Sequence, residues 1–120
     1  MRFRLKHLGF FLLAALLIML TLAGAAVYWA TPTVIIRNDT STIVQVTARW
    51  GDRHRTLEGI EPGSERTFKV RGESSITFIV TYPNGSRVGS SPVYFTSTMT
   101  VTAVITDRSV QALGTFNQLL

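Results

Sequence analysis

The densest run of chemically capable side chains is Arg49-Trp50-Gly51-Asp52-Arg53-His54-Arg55, which sets three guanidiniums, an imidazole and an indole around one carboxylate. Guanidinium groups grip carboxylates and phosphates through fixed forks of N–H donors, and they stack on aromatic faces. The run reads either as a charged hairpin tip that keeps a domain soluble or as a contact site for an anionic partner. Such a partner is a lipid head group, a cell-wall polymer or an acidic protein face. If Gly51-Asp52 is a two-residue loop, Trp50 lies opposite Arg53, Arg49 opposite His54, and Ala48 opposite Arg55. Arg53 and Arg55 then share the face of Trp50, which Val46 and Leu57 assign to the core. Two arginines are not buried unpaired, so this end of the hairpin must project beyond the core. The expected contact is a guanidinium over the indole. Arg49, Trp50, Arg53 and Arg55 are the expected partner-binding residues.

Other reactive combinations are poorly supported. Nucleophilic catalysis needs a nucleophile, a base and an orienting group within reach of one another. His54 is the one histidine beyond His7, and no Gly-x-Ser-x-Gly elbow accompanies it. Asp52, Glu58, Glu61 and Glu65 fall in or beside expected turns, where solvated carboxylates belong. No catalytic residue is assigned, and an enzyme is not expected. With no cysteine and two histidines, neither a metal site nor a cofactor is expected. Asn38-Asp39-Thr40 and Asn84-Gly85-Ser86 match the glycosylation sequon, but the short basic start looks bacterial, which makes the match incidental.

The net charge of +5 invites a nucleic-acid reading, which its placement opposes. Arg2, Arg4 and Lys6 stand at the N-terminus; the other nine Lys/Arg face seven Asp/Glu. No dense basic face remains for phosphates, so nucleic acid is not an expected partner.

Delivery of the cluster rests on Leu8 to Ala30, an uncharged stretch of 23 residues. A helix of that length covers about 34 Å, enough for a hydrocarbon core of about 30 Å. Residues 1–7 form a basic flank that holds the N-terminus in the cytoplasm by the positive-inside rule. Residues 8–30 are then a transmembrane signal anchor, with Tyr28 and Trp29 at the outer interface. The alternative is a cleavable signal peptide with an h-region over Phe10 to Leu22, cut after Ala25. Either way, the remainder is exported to the periplasm or beyond.

After Pro32 the pattern changes from continuous to alternating. Val44, Val46, Ala48 and Trp50 make one row, and Ile76, Phe78, Val80 and Tyr82 make the strongest. Met99, Val101, Ala103 and Ile105 make another. Asn84-Gly85 predicts a type I′ hairpin turn, and Pro92 marks an edge or a bulge. Seven or eight strands at short spacing, without room for a crossover helix, predict a small antiparallel β-sandwich over residues 31–107. Residues 108–120 form a tail. There Val110, Leu113 and Phe116 sit three apart, as in a short helix or turn, although an extended segment is equally compatible.

The string from Leu57 to Phe68, with Glu61-Pro62-Gly63-Ser64 at its turn, resembles a hairpin of bacterial immunoglobulin-like and fibronectin-III-like sandwiches. That resemblance implies a fold and no activity. The expected protein is a non-catalytic sandwich on one membrane anchor that binds or braces other envelope components.

Overall fold

The computed structural model describes residues 3–117. Arg2 of the basic flank and residues 118–120 of the tail lie outside them. The chain divides into two compact units, Met1–Ala30 and Thr31–Leu120.

The first unit is one helix, α1 (Phe3–Ala30). Its apolar span, Gly9–Tyr28, has a mean hydropathy of 2.6 and no buried share. A helix apolar on every side has no solvent-facing stripe and belongs in lipid or in a large core. Inside the span the Thr21 hydroxyl donates to the Leu17 carbonyl at 2.8 Å and so carries no unsatisfied donor into an apolar medium. By length and composition α1 is able to cross a membrane.

The second unit is all β, with nine strands where seven or eight were expected. They are β1 (Thr33–Asn38), β2 (Val44–Trp50), β3 (Arg53–Ile60), β4 (Glu65–Lys69), β5 (Ser74–Thr81), β6 (Arg87–Gly89), β7 (Val93–Phe95), β8 (Met99–Ile105) and β9 (Val110–Phe116). One sheet runs β4-β1-β8-β9. The other runs β3-β2-β5, with β6 and β7 sharing the far side of β5. Rows of alternate residues from both sheets meet in one core, including Val34 and Ile36 of β1, Ala48 of β2, Phe78 and Val80 of β5, and Val101 and Ala103 of β8. Phe78 and Val80 are fully buried on the same inner face, as their shared parity requires.

Two details depart from the sequence pattern, and for the tail the extended alternative holds. All pairings are antiparallel except β1 with β8, which run parallel from Thr33↔Thr100 to Asn38↔Ile105. Alternation reveals which side of a strand is buried but not the direction of its neighbour. The 108–120 tail is, through Phe116, a ninth strand paired to β8. Its inward row is Val110, which is buried, and the small, half-buried Ala112 and Gly114, which give too weak an apolar signal to compete with the three-residue spacing. The Asn84-Gly85 hairpin forms, but not through a type I′ turn. Gly85 N–H donates to Tyr82 O at 2.9 Å, and Gly85 alone in this turn has positive φ, at 84°. Pro83 occupies the first turn position, where its ring fixes φ near −65° and favours a type I turn closed by a left-handed glycine.

One polar residue is fully buried where β1 ends. The Asn38 amide donates to Thr42 O and Ile60 O at 2.8 and 2.9 Å, while its carbonyl accepts from Thr40 N and Oγ1 at 2.9 and 2.6 Å. It ties the β1–β2 turn to the end of β3. With both amide hydrogens engaged inside the fold, the first sequon has no accessible acceptor nitrogen.

Candidate functional site

The arginine cluster sits where its register predicts. Gly51 has φ 57° and Asp52 does not share it, the pattern of a two-residue II′ loop. Trp50 pairs with Arg53, Arg49 with His54, and Ala48 with Arg55. β2 is held on both sides, by β3 and by β5, so the hairpin base is a central strand rather than a mobile finger.

Parity divides the cluster. Arg49 and His54 share the outer face of the sheet, next to Thr47 and Thr56, whose hydroxyls meet at 3.2 Å. Arg53 and Arg55 lie on the Trp50 side. Arg49, Arg53 and Arg55 are all exposed, and Trp50 is half-buried. The stacking partner differs from the expectation. The Arg55 guanidinium carbon lies 4.9 Å from the ring centroid of Phe68, not over Trp50. Phe68 stands in β4 of the opposite sheet and packs against Trp50 with ring centroids 6.0 Å apart. Trp50 therefore spends its face on the inter-sheet contact, and Arg55 closes the open end of the sandwich above Phe68. At an exposed site such a contact contributes about 0.5–1 kcal/mol.

A bulge explains how β3 reaches this position. The register shifts between Val44↔Ile60 and Val46↔Leu57, leaving an extra residue on β3 around Glu58-Gly59. Leu57 and Ile60 thus both turn inward although three residues apart. Among the described residues no group of three His, Asp or Glu side chains is arranged to hold a metal ion.

A second feature was not anticipated. A concavity of about 590 Å³ runs along β8 and β9, lined by residues such as Val104, Val110, Ala112 and Leu113. Leu113 in this lining, and Phe116 further along β9, are each 67 % exposed. The legible signal would have been the complete lack of charge from Val110 to Phe116.

No protein-family model matches the chain, and a search of curated proteins found no match. Among solved structures it is similar to a protein from Eubacterium rectale, with TM-score 0.55 and 12 % identity over 76 % of this chain and 94 % of the other. A putative cell adhesion protein from Bacteroides ovatus gives TM-score 0.46 and 8 % identity, over 76 % of this chain and 46 % of that one. The likeness is one of fold. The Eubacterium rectale likeness agrees with a small all-β sandwich.

Proposed function

We propose that this chain is a single-pass protein of a bacterial envelope whose sandwich stands outside the cytoplasmic membrane and binds an anionic envelope component without catalysis. The observation that carries the reading is the contrast between the two units. The sandwich fills its own core, while the span Gly9–Tyr28 has no buried share in the chain. Lipid is the medium that such a helix requires. The basic residues Arg2, Arg4 and Lys6 favour a cytoplasmic N-terminus. Cleavage after Ala25 would release the same domain, and the intact mass of the mature protein distinguishes retention from release.

Within this reading the β2–β3 hairpin is the contact surface. Arg49 and Arg53 supply exposed charge, Trp50 and Phe68 form an apolar floor, and Arg55 bridges the two. Asp52 offsets part of the charge and lowers the cost of grouping three guanidiniums. Each arginine near an anionic surface contributes about 1 kcal/mol, so three give roughly a 100-fold preference at low salt.

The test replaces Arg49, Arg53 and Arg55 together by Gln in the full chain held in detergent. Binding to immobilised vesicles containing phosphatidylglycerol, and to purified cell wall, is then measured across a salt series. The expected result is strong, salt-sensitive loss to one of these surfaces with the unfolding transition nearly unchanged. Equal binding of both proteins at low salt would reduce the cluster to a solubilising turn.

A further inference from the structure

The four sheet edges of the sandwich are not protected alike. β3 carries Arg53, His54, Arg55 and Glu58; β4 carries Glu65, Arg66 and Lys69; β6 and β7 carry Arg87 and are interrupted at Pro92. Charge, proline and interruption are the devices that stop an edge from pairing with another chain. β9 has none of them. Val110 to Phe116 contains no charge and no proline, and its register with β8 runs without a bulge.

The direction of its unpaired backbone groups follows from the ladder. Thr106 N–H donates to Ser109 O at 2.8 Å, and Asn117 N–H donates to Thr98 O at 2.6 Å. With the register Met99↔Phe116 to Ile105↔Val110, the residues bonded to β8 are Gln111, Leu113 and Thr115. The N–H and C=O groups of Val110, Ala112, Gly114 and Phe116 therefore point away from β8, towards the side on which β9 has no partner strand among the described residues.

We infer that β9 is a self-association edge that pairs antiparallel with β9 of a second copy, about a two-fold axis at Leu113. Full overlap of the strand with itself sets Val110 opposite Phe116, Gln111 opposite Thr115, Ala112 opposite Gly114 and Leu113 opposite Leu113. Every outward backbone group then meets an outward group of the other copy, because the bonded residues are the even-numbered ones on both sides. The side chains agree with that register. Phe116 has inner-face parity through its pairing with Met99 yet is 67 % exposed, since the sheet ends there. Continuing the sheet lays it against Val110 of the other copy. Leu113, equally exposed on the outer face, meets its own equivalent. The small residues Ala112 and Gly114 face each other, and no like charges are opposed anywhere along the strand. An unrelated strand would need all of these features supplied by another sequence; a second copy supplies them by symmetry.

The cysteine-free chain permits a direct test. In a non-hydrogen-bonded antiparallel pair, opposite Cα atoms lie about 4.5 Å apart, within disulfide range. Leu113→Cys in the full chain, in native membranes treated with diamide, should form a covalent dimer at least tenfold faster than Ile43→Cys, an exposed apolar position away from β9. Gln111→Cys and Thr115→Cys should cross-link when co-expressed and not when alone. Adding Ala112→Pro to the Leu113→Cys variant removes an outward N–H that β8 does not use, and should lower its rate to that of Ile43→Cys while the unfolding midpoint holds. Equal rates for Leu113→Cys and Ile43→Cys would overturn the proposal. So would cross-linking of the Leu113→Cys variant to other proteins in place of its own copy.

Discussion

Position 82 needs a ring and a hydroxyl at once. The Tyr82 ring is buried at the end of the core, and its phenol donates to the Thr106 carbonyl at 2.6 Å, tying the β5 end to the β8–β9 turn. Burial, and then the nearby Asp107 carboxylate, raise its pKa above the ordinary phenol value. A group whose folded pKa is raised contributes stability fully present below its unfolded pKa of about 10 and lost as pH rises through the folded value. Wild-type and Tyr82→Phe proteins should thus differ by about 1 kcal/mol at neutral pH, from the lost hydrogen bond. That difference should shrink above pH ~10, because only the wild type retains an ionisable phenol there, as urea unfolding at stepped pH will report. Asn38 and Phe78 mark two other kinds of dependence. Asn38→Ala orphans buried carbonyls and should cost about 1–3 kcal/mol. Phe78→Ala opens a cavity opposite Ala48 and should cost about 3–5 kcal/mol. A loss below about 1 kcal/mol for Phe78→Ala would be incompatible with the buried face described.

Among elements, local chemistry was readable and partnership was not. The rows of β2, β5 and β8 were visible because large β-branched and aromatic residues alternate with Thr, Gln and Arg. The β2–β3 register followed from Gly51-Asp52 alone, since a two-residue loop leaves one pairing. That placed all four candidate site residues correctly along the hairpin. It did not find the stacking partner of Arg55, because Phe68 reaches it from the other sheet, a contact no local pattern encodes. The type I′ expectation failed on a single neighbour, Pro83. β9 was obscured because Ala112 and Gly114 bury little apolar surface, leaving Val110, Leu113 and Phe116 to suggest a period of three. If the Arg55 contact acts as the geometry indicates, Arg55→Gln will lower stability by about 0.5–1 kcal/mol. Arg49→Gln, lying on the other face of the hairpin, should leave stability within about 0.5 kcal/mol of wild type. Thermal unfolding of the two single variants makes that comparison.

For the molecule as a whole, the short passage from helix to sheet has a mechanical meaning. α1 ends at Ala30 and β1 begins at Thr33. β1 is not an edge: it is bonded to β4 on one side and to β8, in parallel, on the other. With the helix held in a bilayer, tension on the domain enters the sheet through the first residue of β1. Tension drawn from the far end leaves β8 at its last residue, next to the turn into β9. Parallel neighbours pulled from opposite ends slide along one another, so the rungs from Thr33↔Thr100 to Asn38↔Ile105 bear the load together. An antiparallel hairpin pulled at its open end would instead unzip rung by rung. Single-molecule stretching between Thr31 and Thr106 should therefore meet a high, brittle rupture force, and stretching across the β2–β3 hairpin from Val44 to Ile60 a lower and more gradual one. The parallel β1–β8 pairing would then serve as the tether clamp of the sandwich.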